Sequence, residues 1–402
     1  MLSRILGLFG FICLFGSVTA ESKVRFDHFP VPKTVEKQVS FWKKIFAEYN
    51  TKHTVIHDRN HPDVIIDVID FKAFEHRFNN GRAYTPQERR RITAKYLNRY
   101  RLAISRVRKV GARASKFGAM ERRILEVYKR HNIGITNRRN KTPQIRSQRG
   151  LSDEFAVAIN RSARYLPYIE DIFRSRSLPI DLTRIPFVES MFNEKAVSKV
   201  GASGIWQFMP LTGKQFMNVN KFIDERNSPI KATRAAADLL SSNYRAIKSW
   251  PLAITAYNHG LSGMQRAVRQ LNTKNLETII HKYKSPTFGF ASKNFYAEFV
   301  AANQVYNSMR QQVTGDRNPL RITQITLKER LSLHELIRKT PLDEKTIRTY
   351  NKCIKKNTYT RYKHRPLPKN FKLIVPERLT ASISRYIKVY ASTGKSMTRF
   401  TL

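Results

Sequence analysis

One glutamate stands among apolar neighbours in Ile185-Pro-Phe-Val-Glu-Ser-Met-Phe192, a turn with two glycines follows in Gly201-Ala-Ser-Gly-Ile-Trp-Gln-Phe-Met-Pro210, and a tyrosine comes last in Ala256-Tyr-Asn-His-Gly260. Apolar surroundings disfavour a carboxylate and raise its pKa, which is what a general acid needs near neutral pH. Glu189 is therefore the candidate proton donor. Gln207 can donate to and accept from an acetamido or hydroxyl group, Trp206 and Phe208 can offer ring faces to sugar C–H surfaces, and the Tyr257 hydroxyl can hold a carboxyl in place. Each has an ordinary reading as well: a solvated helix-end glutamate, a turn with buried aromatics, a core tyrosine, a capping His259. Taken together, one acid, a close-approach loop with an amide and a tyrosine suit the cleavage of a polysaccharide.

These residues need rigid elements. From 151 to about 312 the pattern is helical nearly throughout. Ala232, Ala235, Ala236, Leu239 and Asn243-Tyr244 share a face after the Ser228-Pro229 start signal, and their small side chains invite a close helix partner. Trp250-Pro251 opens a further helix that Gly260 ends. Upstream, Thr85-Pro-Gln-Glu88 reads as a capping box, and Ile92, Tyr96, Tyr100, Ile104 and Val107 continue a basic amphipathic helix. The stretch 21–83, including the apolar run Val64–Ile69, carries no clear assignment. Arg138–Arg149 lacks apolar periodicity and reads as a linker that places a boundary near 150. Beyond Pro319 a strand at Ile322–Thr326, helices at Leu331–Ile337 and Glu344–Tyr350 and a strand at Phe371–Pro376 make a small α+β module. The division is thus 1–20, 21–150 (a basic helical region and linker), 151–315, 320–376 and a tail of 377–402.

The 402 residues suffice for two or three domains. Residues 1–20, with Arg4, an apolar run from Ile5 to Phe15 and Val-Thr-Ala20, have the layout of a secretory signal peptide whose run is too short for a membrane span. Phe11-Ile12 before Cys13 does not suit a lipoprotein cut. Removing the segment leaves Cys353 alone, which excludes an internal disulfide and a cysteine metal site. No cofactor or metal is expected. Of a net charge of +44, residues 151–315 carry +9, with 21 basic and 12 acidic residues, so +35 lies in the flanks. Such flanks attract polyanions, and export makes anionic envelope polymers the expected partners instead of nucleic acid.

The three stretches, in this order, resemble the SLT family of lytic transglycosylases and its membrane-bound murein transglycosylase D type. The resemblance implies a mainly α, goose-lysozyme-like catalytic domain over about 151–315. It makes Glu189 the only catalytic carboxylate, oriented by Ser190. It further implies substrate-binding positions at Ser198, Gly204, Trp206, Gln207, Phe208, Tyr257, Asn258 and Tyr296, the last as the family's later tyrosine. Gly204-Ile-Trp-Gln207 stands for that family's Gly-Leu-Met-Gln. The module at 320–376 is similar to a divergent LysM repeat, carried by Leu331–Ile337, Asn351 and Leu373–Pro376, with an insertion at Lys355–His364 and no Gly-Asp turn.

By that resemblance, the chain is expected to cleave the MurNAc-GlcNAc β-1,4 bond of peptidoglycan as a monomer in the periplasm or cell envelope, peripheral to the outer membrane, and to leave a 1,6-anhydro end. Two alternatives remain. A hydrolytic muramidase needs a second carboxylate, for which Glu194, Asp224 and Glu225 are candidates. An inactive envelope-binding scaffold would work through the basic flanks and the C-terminal module alone. Product analysis separates the first from a transglycosylase, and the intact Glu189 argues against the second.

Overall fold

The computed structural model describes residues 28–111, 117–137, 141–315 and 318–391. The signal-like segment 1–20 with Cys13 lies outside them. Helix dominates, as the sequence reading expected, and two small sheets are added to it.

The largest core is built around two helices, Trp250–His259 and Phe290–Met309. The first is buried along most of its length, at Leu252, Ala253, Ile254, Thr255 and Ala256, because Pro229–Ile247 packs on one side and Phe290–Met309 on the other. Ala232, Ala235, Ala236 and Ala237 make the close approach possible, and Leu240 rather than Leu239 faces fully inward. Ser152–Ala163, Leu166–Arg174 and the short Ile185–Ser190 helix close the remaining side.

The N-terminal region differs from the helical one expected. Lys33–Ala47 lies along Phe290–Met309 and buries Val35, Val39, Phe41, Trp42, Ile45 and Phe46 in the same core. Trp42 Nε1 donates to Asn294 Oδ1 at 3.2 Å. A three-stranded antiparallel sheet then forms, with His53–Asp58 between Ile65–Asp70 and Ile145–Arg149. The supposed linker therefore ends in an edge strand. Its sequence, Ile-Arg-Ser-Gln-Arg, buries only Ile145, so pairing with a distant strand decides its conformation. The capping box is present. Thr85 Oγ1 accepts from Glu88 N at 3.2 Å and Glu88 Oε2 from Thr85 N at 2.7 Å. Pro86–Val110 follows, with Tyr100, Ile104 and Val107 buried.

At the C-terminus Ile322–Leu327 pairs antiparallel with Lys372–Pro376, and Leu333–Lys339 and Glu344–Tyr350 lie between them in a βααβ order. Asn351 fastens the second helix to the strand: its Nδ2 donates to Ile374 O and its Oδ1 accepts from Ile374 N, both at 2.8 Å. The tail left unassigned supplies a helix at Thr380–Tyr386 and a third strand at Val389–Ala391. The insertion docks on the central body. Thr358 Oγ1 donates to Phe222 O at 2.9 Å, Asp224 N donates to Cys353 O at 2.7 Å, and Ile223 is buried in the module's own core. Among the described residues no helix is long and apolar enough to cross a membrane.

Candidate active site

Glu189 sits on a six-residue helix held from below. Pro186 opens it, Phe187 is wholly buried against Phe155 at 4.8 Å, and Arg184 just before it pairs with Glu170 at 2.8 Å and covers the Tyr306 ring. Two successive left-handed residues, Met191 (φ 50°) and Phe192 (φ 51°), end the helix. The chain therefore turns sharply and leaves Glu189 half-buried, with a path to solvent and little polar company. Desolvation pushes its pKa up from 4.5 to about 8. At neutral pH it carries a proton it can give.

The glycine-bearing loop is braced from several sides. Gly204 has φ +77°, and a Cβ there would stand 1.9 Å from Arg226 O, so no side chain fits. Gln207 is also left-handed (φ 48°), and its Nε2 donates to Gly204 O at 2.8 Å and Ala196 O at 3.2 Å. Arg226, paired with Asp224, reaches Gly201 O at 2.7 Å and Phe208 O at 2.9 Å. Ser198 Oγ accepts from Ala202 N at 2.9 Å and closes the turn before it.

Several expected contacts are redirected. Ser190 Oγ donates to Ile205 O at 2.8 Å, so it ties the helix of Glu189 to the loop and does not bind the carboxyl. Tyr257 Oη donates to Trp206 O at 2.8 Å. It lies near enough to Glu189 for that charge, after burial, to hold its own pKa well above 10.0. Asn258 is exposed and its Oδ1 accepts from Ser292 Oγ at 2.8 Å.

Three positions expected to face substrate are instead core. Trp206 is fully buried, stacked on Phe173 at 5.8 Å with Nε1 donating to Thr233 Oγ1 at 2.9 Å, and Phe208 is only 3% exposed. Neither presents a ring face to a sugar. Tyr296 is 1% exposed and donates to Pro30 O at 2.9 Å. Adjacent helix residues point about 100° apart. Phe295, not Tyr296, stacks on Tyr257, at 6.3 Å and 6°.

The structure also adds a carboxylate. Glu194 is engaged by Lys352, Arg164 and Tyr165, Asp224 by Arg226, and Glu225 by Lys231, which leaves none of the three sequence candidates available as the second acid. Glu298, one turn beyond Phe295, is half-buried and has no ion pair among the described residues. Its pKa rises to about 8 through burial first and the charge of Glu189 second, while Arg146 pulls it down. The charge of Glu189 thus adds to the rise of Glu298, whereas burial alone raises Glu189. The signal was present in Asn294-Phe-Tyr-Ala-Glu298. Reading it required knowing which side of that helix faces Glu189.

Residues 170–280 match the transglycosylase SLT domain family. A putative tributyltin chloride resistance protein of Alteromonas is 35% identical over 116 residues, 28% of this chain and 56% of that protein. The membrane-bound lytic murein transglycosylase D of Escherichia coli is 29% identical over 120 residues, 29% of this chain and 26% of that one. The chain thus spans about half the length of the first and a quarter of the second. A solved structure of an inactive mutant of the Pseudomonas aeruginosa lytic transglycosylase Slt is 20% identical, covers 37% of this chain and 25% of its own, and superposes with a TM-score of 0.29. Glu189, the braced loop and Tyr257 lie inside the matched family segment. Glu298 lies beyond it.

Proposed function

We propose that this SLT-domain chain is a peptidoglycan lytic transglycosylase of the cell envelope, and that Glu189 serves as acid and then as base. Protonated Glu189 gives its proton to the glycosidic oxygen as the bond from C1 of MurNAc breaks, and the substrate's acetamido group supports the positive charge left at C1. The Glu189 carboxylate then takes the proton of the MurNAc 6-hydroxyl while that oxygen bonds to C1. The proton returns to Glu189 and the product is a 1,6-anhydro end. The observation that carries this reading is the desolvated Glu189 on a helix tied through Ser190 to the loop of Gly204 and Gln207.

Glu298 favours one second reading. A carboxyl facing Glu189 is what a hydrolase uses to activate water or to form a glycosyl intermediate. Digestion of purified sacculi in heavy-oxygen water decides between them. Released ends that carry no label and are about one water (~18 Da) lighter than reducing ends support the transglycosylase. Labelled reducing ends make the protein a muramidase and leave Glu298 as the candidate second carboxyl, and no release of muropeptides sinks both.

A further inference from the structure

Two adjoining cavities, of about 760 and 410 Å³, open between the N-terminal sheet and the central body, away from Glu189 itself. They share Arg59, Gln144 and Phe290, and no carboxylate lines either one. In the smaller, Arg59, Lys141, Lys284 and Lys293 converge. None of these four has a carboxylate partner among the described residues. Lys293 is held below 10.5 by burial and then by the charges of Lys284, Arg59 and Lys141, so these cations lie close enough to repel one another. Unneutralised like charge around a hollow is costly without an anion to fill it.

Two further features shape the hollow. The twenty-residue helix Phe290–Met309 begins there, at Gly289, with no side chain capping its first turn, so its free N–H groups and dipole add positive potential. Gln38, 9% exposed, lines the same cavity and leaves its Oε1 without a hydrogen-bond partner. That acceptor is open to a ligand N–H beside the cations, so a ligand that brings N–H donors with its negative charge matches both features. A bare phosphate at neutral pH supplies few, whereas a peptide with carboxylates supplies both.

We infer that this cavity is a binding site for an acidic peptide, the carboxylate-bearing stem attached to the glycan; the identification of the stem rests on the reading of the chain as a peptidoglycan enzyme. The reach fits. Phe290 at the cavity and Glu298 facing Glu189 lie eight residues apart on one helix, about 12 Å at 1.5 Å per residue, and an extended stem of three or four residues spans about 10–14 Å. With the stem attached the lactyl group of MurNAc is an uncharged amide and the carboxylates lie along the peptide, whereas glycan without stems keeps only one lactyl carboxylate per MurNAc at the sugar itself, so the stem is the part of the polymer that carries negative charge out to these cations. The site discriminates peptide-bearing strands from naked ones.

The test uses the full chain and an N-acetylated tripeptide, L-Ala-γ-D-Glu-diaminopimelate, followed by calorimetry. Binding should weaken about tenfold in Lys284→Gln and in Lys293→Gln, the loss of roughly one charge-assisted contact, and recover in Lys293→Arg. Equimolar inorganic phosphate should not displace the peptide. Absence of binding, unchanged affinity in both variants, or displacement by phosphate overturns the site. Lys284 is exposed, so its substitution leaves the fold intact even if Lys293→Gln does not. In parallel, wild type is compared on sacculi and on the same glycan stripped of stems by an amidase. A kcat/KM ratio above one that falls toward one in the variants supports the site, and a wild-type ratio of one overturns it. A protein that binds the tripeptide but cleaves neither substrate retains the site and rejects the transglycosylase.

Discussion

Two walls flank Glu189, and both are rich in lysine and arginine, yet they handle charge in opposite ways. On the C-terminal side the cations are consumed by structure. Lys231 pairs with Glu225 at 2.7 Å and lies 3.9 Å over the Phe371 ring, Arg226 pairs with Asp224 at 2.7 Å, and Lys352 bonds Glu194 across the junction with the βααβ module. On the N-terminal side Arg59, Lys141, Lys284 and Lys293 face a hollow without a carboxylate partner among the described residues, and Arg146 covers Phe290 at 3.6 Å while its charge acts on Glu298. A net charge of +44 therefore has no single meaning. Paired positive charge assembles the site, and unpaired positive charge is available to a ligand.

Substitution at the junction of the walls should have the largest effect. Glu189→Gln keeps the shape but cannot pass a proton, and muropeptide release should fall by about 10³-fold or more. Substantial turnover by the folded variant would remove Glu189 from the chemistry. The same change should alter stability in one pH window only. A carboxyl with its native pKa raised from 4.5 to about 8 favours the fold fully below 4.5 and loses that contribution as pH rises through 8. The variant should thus melt above wild type at pH 9 and with it at pH 4. Identical curves at both would mean that Glu189 is not desolvated.

The paired wall comes next. Lys231→Met strands the nearly buried Glu225 and should cost about 3 kcal/mol, seen as a lower midpoint in urea. A midpoint within experimental error of wild type would erase the contrast between the walls. Glu298→Gln should change little if Glu189 works alone. Desolvation, which raises Glu189, is untouched, so the alkaline limb of kcat should stay near pH 8 while the maximum falls by less than about tenfold, a general-base effect being typically larger. A loss of about 10³-fold would make Glu298 the second catalytic carboxyl. The smallest effect belongs to Arg59→Gln, which removes an exposed, unpaired cation. Its Tm should stay within about 1 °C of wild type or rise, since surface changes stay within about 0.5 kcal/mol. A clear drop would show that Arg59 has a structural partner.

Much of the fold was legible in the sequence because its signals are local. Ser228-Pro229, Trp250-Pro251 with Gly260, the Thr85 capping box and the βααβ order are each set within a few residues, and each appears where expected. Glu189, Gly204 and Tyr257 were singled out by the family resemblance of their three stretches taken together, since each stretch alone has an ordinary structural reading. What was missed depends on distant partners. The edge strand Ile145–Arg149 exists through His53–Asp58, Trp206 is buried by Phe173 and Thr233, and Tyr296 turns toward Pro30 while its neighbour Phe295 stacks on Tyr257. Local pattern cannot tell which of two neighbouring aromatics meets Tyr257, nor which of several glutamates has already found a cation.

Ile223 belongs to the segment that supports Gly204, yet it is buried among the residues of the βααβ module. That shared side chain makes the module unlike an interchangeable cassette on a linker. Transplanting another module onto this chain would leave an apolar side chain stranded three residues before Arg226, which braces the Gly204 loop. Recombination in evolution or in the laboratory must therefore move residues 218–227 together with the module.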